Sequence, residues 1–345
     1  MSAETLDPQV REAIEQFVRR EAGAQQVRIE EAKRLSGGAI QENWALTASV
    51  SSGPYAGSHR WVLRTDAQSA VAASLSRSAE FAVLQVSYAA GVRVPKPLWL
   101  CRDRSATGRE FFIMTFAAGT ASAHRLTRES ALVPEPRLLA HDLGANLARL
   151  HAIAPPCAAL PFLSVPQRSP ALEAIAGYRA YLDSLAERFL ALEWGLRWCE
   201  IHAPKEWTLR LTHRDYRTGN YLVQDGRLSA VLDWEFAAWG DPDEDIGWFT
   251  ARCWRFAQPG NEAGGIGKLE DFLAGYATVA DLEIDASSLR YWQVMAHLRW
   301  AIIALQQAQR HDSGQQRSLE LALTGTLVPE LSLEIMRLIE RSLHE

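Results

Sequence analysis

The stretch LTHRDYRTGNYLVQDGRLSAVLDWE, Leu211 to Glu235, constrains what this chain can fold into more than any other part of it. Its Asp225-Gly226 pair stands between two alternating apolar runs, a strong short-range signal for a hairpin, because both residues tolerate positive φ. Folding residues 221–224 back on residues 227–231 pairs Gln224 with Arg227 and sets Asn220 opposite Val231. Asp233 follows two residues later, so period-two alternation puts it on the face of Asn220. Asp215 precedes Asn220 by one short loop and reaches the same end. The spacing therefore predicts three oxygen-bearing side chains at one mouth. Taken singly, His-Arg-Asp is a common tripeptide, Asn beside Gly is an ordinary turn residue, and Asp after a strand is a usual helix cap. The ordered set on a hairpin says more than any of its members.

Oxygen ligands in this arrangement suit a hard cation. Mg²⁺ takes one or two protein carboxylates and leaves its other positions to water and substrate phosphates. Phosphoryl transfer needs such a cation, and it needs a group that orients the attacking hydroxyl and accepts its proton. Asp215, close to the cation but not committed to it, is the candidate for that base.

HRDYRTGN, then VLDWE, then WGDPDEDIGWF resemble the aminoglycoside phosphotransferase and choline kinase-like family. Within it the pattern sits nearest the branch of kinase-like domains associated with acyl-CoA dehydrogenases. The resemblance implies an α+β, bilobal, protein-kinase-like fold. Residues 1–117 would form a small N-lobe, an antiparallel sheet and helix that cover a nucleotide. Residues 118–345 would form a larger, mainly helical C-lobe with the catalytic loop, the metal site and the substrate-binding region. It implies ATP and Mg²⁺ as cofactors, Asp215 as catalytic base, His213 as a support of the catalytic loop, and Asn220 and Asp233 as Mg²⁺ ligands.

Composition agrees without having found this. A chain of 345 residues with 48% hydrophobic content can bury a large core in one large or two modest domains. A formal net charge of −5 and the absence of a long basic block argue against nonspecific nucleic-acid binding. Cys101, Cys157, Cys199 and Cys253 are widely spaced with no CxxC pair, so neither a zinc site nor a disulfide framework is expected, and a reducing cytoplasm fits. Near the N-terminus Val10, Ile14, Phe17 and Val18 form a helical stripe among charges, unlike the apolar core of a signal peptide. Runs such as Trp300 to Leu305 fall short of the roughly 20 residues that a membrane helix needs, so no membrane partner is expected. Trp194, Trp198 and Trp207 read as packing residues rather than a binding platform. Oligomeric state leaves no mark in the sequence.

Two strands joined near Ser36-Gly37-Gly38, and a third over RWVLRT (Arg60 to Thr65), predict a small antiparallel sheet. The Ser36, Gly37, Gly38 turn lets backbone amides approach phosphate oxygens, although SGG falls short of GxGxxG. In the kinase pattern the third strand supplies a cation to the phosphates and a following helix supplies a glutamate that holds it. Arg64 and Glu80 occupy those positions, with Arg64 where most such kinases carry lysine. Glu80 opens a helical run with Phe81, Leu84 and Tyr88 on one stripe and Gly91 as its stop. A strand over Glu110 to Phe116 follows. By resemblance, backbone groups of Met114, Thr115, Phe116 and Ala117 would meet the adenine.

Beyond this point helical patterns dominate. Leu139, Leu143, Leu147 and Leu150 form one stripe, and Tyr178, Leu182, Leu185 and Phe189 another. Helices are also expected over 288–309 and 327–343. Only a short link joins Asp233 to Asp241-Pro-Asp-Glu-Asp-Ile-Gly, with no Ala-Pro-Glu signature, which favours a small hydroxylated acceptor over a peptide. Asp245 would hold the catalytic loop through hydrogen bonds, and Asp241 would cap the next helix. Arg217, placed where antibiotic kinases carry histidine, could reach the γ-phosphate as a third catalytic residue beside Asp215 and His213. These readings together predict an ATP-dependent phosphotransferase. Its acceptor would be an aminoglycoside-like polyol or a hydroxyacyl-CoA-like molecule met by Arg252 and Arg255. A catalytically weak, nucleotide-binding pseudokinase or scaffold is the alternative.

Overall fold

The computed structural model describes residues 6–35, 41–66, 74–105, 107–280 and 285–343. The chain divides into two compact units. The first comprises Met1–Gly119, Cys157–Phe162 and Ser229–Ala237, and the second Thr120–Pro156, Leu163–Leu228 and Ala238–Glu345. Asp233, expected with the rest of 118–345, is thus packed within the first unit.

In the first unit α1 (Pro8–Glu21) starts where the Asp7 carboxylate accepts the Gln9 and Val10 amides, with Pro8 at a position that needs no N–H. A five-stranded antiparallel sheet follows, from β1 (Val27–Arg34), β2 (Gln41–Val50), β3 (Gly57–Asp66), β4 (Pro97–Cys101) and β5 (Phe111–Thr115), in the order β1-β2-β3-β5-β4. Between β3 and β4 runs α2 (Arg77–Ala89). One sheet face and α1 share a core of Phe17, Val18, Trp44, Trp61, Leu63 and Phe111. Because side chains alternate along a strand, Arg64 lies on the opposite face of β3 from Trp61 and Leu63, the face that α2 reaches with Glu80. The strand register sets Arg64 opposite Asn43 on one side and Phe112 on the other.

The second unit is mainly helical. It contains α3 (Ala123–Leu126), α4 (Pro136–His151), α5 (Pro170–Asp183) and α6 (Leu190–Ile201), then the short strands β6 (Arg210–Thr212) and β7 (Tyr221–Gln224). At the predicted turn Asp225 and Gly226 have φ +50° and +73°, and β8 (Arg227–Val231) pairs with β7. β9 (Ala238–Gly240) pairs antiparallel with β6, matching Leu211 with Trp239. Then come α7 (Pro242–Thr250), a 3-10 turn (Arg252–Trp254), α8 (Leu269–Ala277), α9 (Ala286–Asp312), α10 (Leu319–Gly325) and α11 (Val328–Ser342). Tyr291, Trp292, Val294, Leu298 and Ile302 of α9 pack in one core of this unit with Leu192, Leu196 and Ile335.

The crossing of α4 and α8 is set by two glycines. A Cβ at Gly144 would stand 1.9 Å from the Phe272 carbonyl oxygen, and one at Gly275 2.0 Å from that of His141. Only residues without a Cβ permit backbones to approach this closely. The crossing places His151 of α4 beside Tyr276 of α8, Nδ1 to hydroxyl 2.8 Å.

Several local expectations need correction. The helix carrying Glu80 starts earlier, at Arg77, because Ser76 caps it by accepting the Ala79 amide. Gly91, at φ +78°, does end it, but Tyr88 is 45% exposed rather than packed. Leu185 and Phe189 lie beyond the end of α5 at Asp183, in the turn before α6. Trp194 and Trp207 stand in solvent at 45% and 40% exposure, whereas Trp198 packs on the core of the second unit. β4 carries no clear signal, with Pro95 two residues before it and Pro97 as its first residue. Among the described residues no helix is long and apolar enough to cross a membrane.

Candidate active site

β6 delivers the chain into the loop 213–220, and the helix after its partner β9 returns to hold that loop. Asp245 of α7, fully buried, accepts the His213 amide on Oδ2 at 2.6 Å and the Arg214 amide on Oδ1 at 2.7 Å. Its Oδ2 also meets His151 Nε2 at 3.2 Å. Burial alone would push the Asp245 carboxyl up. The hydrogen bond and charge of His151, with the His213 ring and amide, outweigh burial and hold it below the usual carboxylate range. Arg214 has φ +63°, a conformation costly for a residue with a Cβ, and its guanidinium Nε donates to Glu244 at 3.1 Å. The strained backbone next to Asp215 is thus pinned by two acidic groups of one helix. Asp241 caps that helix, accepting the Asp243 amide at 3.0 Å.

Within the loop, His213 Nδ1 accepts the Asp215 amide at 3.2 Å. The Asp215 carboxylate has three donors. Arg217 Nε and Trp248 Nε1 reach Oδ1 at 3.1 and 3.0 Å, and Asn220 Nδ2 donates to Oδ2 and, at 2.9 Å, to the Asp215 carbonyl. Arg217 is also stacked over Trp254, 4.6 Å from the ring centroid. The sequence-predicted residues Asp215, His213, Arg217 and Asn220 therefore form one bonded group in the second unit.

Arg64, Glu80 and Asp233 form another in the first. Arg64 Nη2 lies 2.8 Å from Glu80 Oε1, and Nη1 lies 3.2 Å from Asp233 Oδ1 and 3.3 Å from Asn43 Oδ1. Burial works against the guanidinium charge, but Glu80 and Asp233 outweigh it and raise the Arg64 pKa above its ordinary value. Glu80 has a second partner, since buried Arg77 Nη1 bonds its Oε2 while Arg77 Nε reaches Asp66 at 2.9 Å.

These residues fit the nucleotide and cation that the sequence implies. Arg64 Nε is a buried donor with no hydrogen-bond partner among the described residues. Asp233 is 37% exposed and engages Arg64 through Oδ1, which leaves Oδ2 for a cation. Asn220 spends its amide nitrogen on Asp215, so its carbonyl oxygen remains as donor. Among the described residues no group of three or more His, Cys, Asp or Glu could hold a metal by itself. Mg²⁺ that arrives with phosphates needs fewer protein ligands than that. In the segment expected to meet adenine, the Thr115 amide donates to Lys96 and the Phe116 amide to Arg60, so those two donors are already committed beside Met114 and Ala117. Ser36, Gly37 and Gly38 lie outside the described residues. Arg252 and Arg255, expected to meet a hydroxyacyl-CoA-like acceptor, are each paired with a glutamate. Arg252 lies 3.2 Å from Glu334, and Arg255 reaches Glu262 at 3.1 Å and the Thr250 and Pro259 carbonyls.

Sequence reasoning missed Trp248, Arg77, His151 and Tyr276. Two of these had a readable signal, because Trp248 lies three residues after Asp245 and Arg77 three before Glu80, on the same helix faces. His151 and Tyr276 had none, being joined to the loop only by the helix crossing.

The profile of the phosphotransferase enzyme family matches residues 31–282. Acyl-CoA dehydrogenase family member 11 of Pongo abelii is 23% identical over 274 residues, 76% of this chain and 35% of that protein. Acyl-CoA dehydrogenase family member 10 of Mus musculus is 26% identical over 170 residues, 48% of this chain and 16% of that protein. The chain thus spans a minor part of either relative. Among solved structures, a candidate aminoglycoside phosphotransferase from Ralstonia eutropha JMP134 superposes with TM-score 0.75 at 20% identity, covering 96% of this chain and 98% of that one. A spectinomycin phosphotransferase in complex with ADP and spectinomycin superposes with TM-score 0.59 at 14% identity, covering 94% and 98%. The fold is that of the protein kinase-like phosphotransferases, and this chain belongs to the phosphotransferase enzyme family.

Proposed function

We propose that the chain transfers the γ-phosphoryl group of ATP to a hydroxyl of a small molecule, with Asp215 as the base and Asn220 and Asp233 as oxygen ligands of Mg²⁺. The observation that carries this reading is the Asp215 carboxylate, oriented by three donors on a loop whose backbone a buried aspartate holds. A protein that only binds nucleotide has no use for a base positioned in this way. When bound, Mg²⁺ would offset charge on the phosphate oxygens. The chain's own part is to orient and to balance charge. Asp215 takes the hydroxyl proton, and Arg64, held by Glu80, offers its guanidinium to the phosphates. Arg217, whose Nε stays on Asp215 Oδ1, offers its remaining N–H groups to the transferred group.

For the acceptor, likeness to acyl-CoA dehydrogenase family members 10 and 11 supports a hydroxyacyl-CoA-like molecule over an aminoglycoside-like one. Arg252 and Arg255, the cations first expected to meet it, are each paired with a glutamate. One observation favours the alternative of a nucleotide-binding scaffold: Arg64 and Asp233 are paired with each other, so cation and carboxylate neutralise one another.

A screen for ADP release with aminoglycosides, choline-like alcohols, sugars and hydroxyacyl-CoAs separates the readings. We expect release with one acceptor class, lowered at least about 100-fold in Asp215→Asn while Mg·ATP affinity by calorimetry stays within twofold. Nucleotide binding without release in any arm would favour the scaffold.

A further inference from the structure

α7 grips the catalytic loop twice. Asp245 holds the loop backbone, and one turn later Trp248 donates its indole N–H to Asp215 Oδ1 at 3.0 Å. Residues three apart share a helix face, so fixing the first carries the second into place. The indole is almost completely buried and held on both sides. The Arg299 guanidinium lies 4.6 Å over its ring, and Trp254 packs against it at 5.1 Å between centroids. Trp254 in turn carries Arg217, the second donor to the same oxygen. Four side chains, Arg299, Trp248, Trp254 and Arg217, thus make successive contacts, with the two rings tilted at 51° and both N–H outlets on Oδ1. The Trp254 indole N–H has no partner among the described residues, so of the two tryptophans only Trp248 serves as donor.

A carboxylate offers about four lone-pair sites, two on each oxygen. Among the described residues Oδ1 has both filled, by Trp248 and Arg217, whereas Oδ2 has one filled, by Asn220. We propose that Trp248 is a positioning residue that, with Arg217, reserves Oδ1 and so assigns the acceptor's proton to Oδ2 of Asp215. The inference rests on the phosphotransferase reading and deepens it. In the step it describes, the acceptor oxygen forms a bond to the γ-phosphorus, the bond from that phosphorus to the bridging oxygen breaks, ADP leaves with the electron pair, and the hydroxyl proton passes to Oδ2. The fixed indole keeps the carboxylate plane from turning about its Cβ bond, so Oδ2 faces the acceptor at each encounter.

The test combines a spectrum with kinetics on the full chain. Trp248→Phe removes the N–H and keeps a ring between Arg299 and Trp254. In the ¹H–¹⁵N spectrum its missing indole cross-peak identifies that of Trp248, which is expected downfield and displaced in Asp215→Asn, while indoles of the first unit stay in place. With the acceptor found by the ADP-release screen, Trp248→Phe is expected to lower kcat about tenfold with the KM for ATP within twofold. A Trp248 cross-peak that ignores Asp215→Asn overturns the proposal, and should Trp248→Phe fold poorly the same peak is assigned through the backbone of the wild-type chain. So does a wild-type kcat in Trp248→Phe. Absence of ADP release from wild-type protein with every acceptor overturns the phosphotransferase reading instead, and the role of Trp248 with it, whatever the cross-peak shows.

Discussion

Replacing Asp245 by Asn tests whether the catalytic loop is held from outside itself. The carboxylate accepts two backbone amides, at 2.6 and 2.7 Å, on different oxygens, and His151 as well. Asn has one acceptor oxygen, so in either rotamer its NH₂ points at an amide N–H that also donates. One charge-assisted bond, worth about 1.5–3 kcal/mol, is lost. A buried N–H left without an acceptor adds about 1–3 kcal/mol. The sum, about 2.5–6 kcal/mol, should lower the melting temperature on the order of 10 °C. Because the folded carboxyl is held below its ordinary value, its contribution is present above the unfolded pKa and lost as pH falls through the folded one. The gap between wild type and variant should therefore narrow in strong acid. Scanning calorimetry at pH 7 and at pH 3, with turnover at 25 °C, checks all of this. A variant that melts within 2 °C of wild type and turns over normally would refute the claim that this carboxylate shapes the loop.

Arg64→Ala leaves Glu80 with one of its two guanidinium partners, so we expect a loss of about 3 kcal/mol in denaturant melts and weaker nucleotide binding by calorimetry. Because the two act as one unit, Arg64→Ala with Glu80→Gln should lose less than the sum of the single changes. Burial, then the Asp243 carboxylate, push Asp241 up to about 7, so between pH 4 and 7 the folded chain keeps a proton that the unfolded chain has released. That stability is complete below pH 4 and gone above 7, so Asp241→Asn, still able to cap α7, should flatten the decline by up to about 1.4 kcal/mol per pH unit. Gly275→Ala drives a Cβ into the His141 carbonyl, and the overlap should exceed the gain in helix propensity and destabilise by about 2 kcal/mol in urea titrations.

What was legible in the sequence was whatever is encoded locally. The Asp225-Gly226 turn needs only two residues able to take positive φ, and the strand over Arg64 needs only alternation. Arg64 and Glu80 were found because a strand and the helix after it repeat a known order, and the structure bonds them. Tertiary partnership was not legible. The partners of Arg252 and Arg255, Glu334 and Glu262, are distant or unpatterned in sequence. The helix of Glu80 was begun too late because a serine cap leaves no hydrophobic trace. An indole in an apolar run reads as packing, whereas the fold brings the Trp248 N–H to a carboxylate.

The loop's outside supports also set the order in which it can take shape. His151 is separated by 94 residues from Asp245 and by 125 from Tyr276. Closing intervals of that length costs chain entropy and slows folding. The left-handed Arg214 has no local bond able to hold it before α7 arrives. In vectorial synthesis the loop leaves the ribosome ahead of α7 and α8, so it emerges as a floppy segment and gains its geometry only when those helices dock. Phosphotransfer would then report completed assembly of the helical unit. A nascent chain would transfer no phosphate until its late helices have docked on the loop.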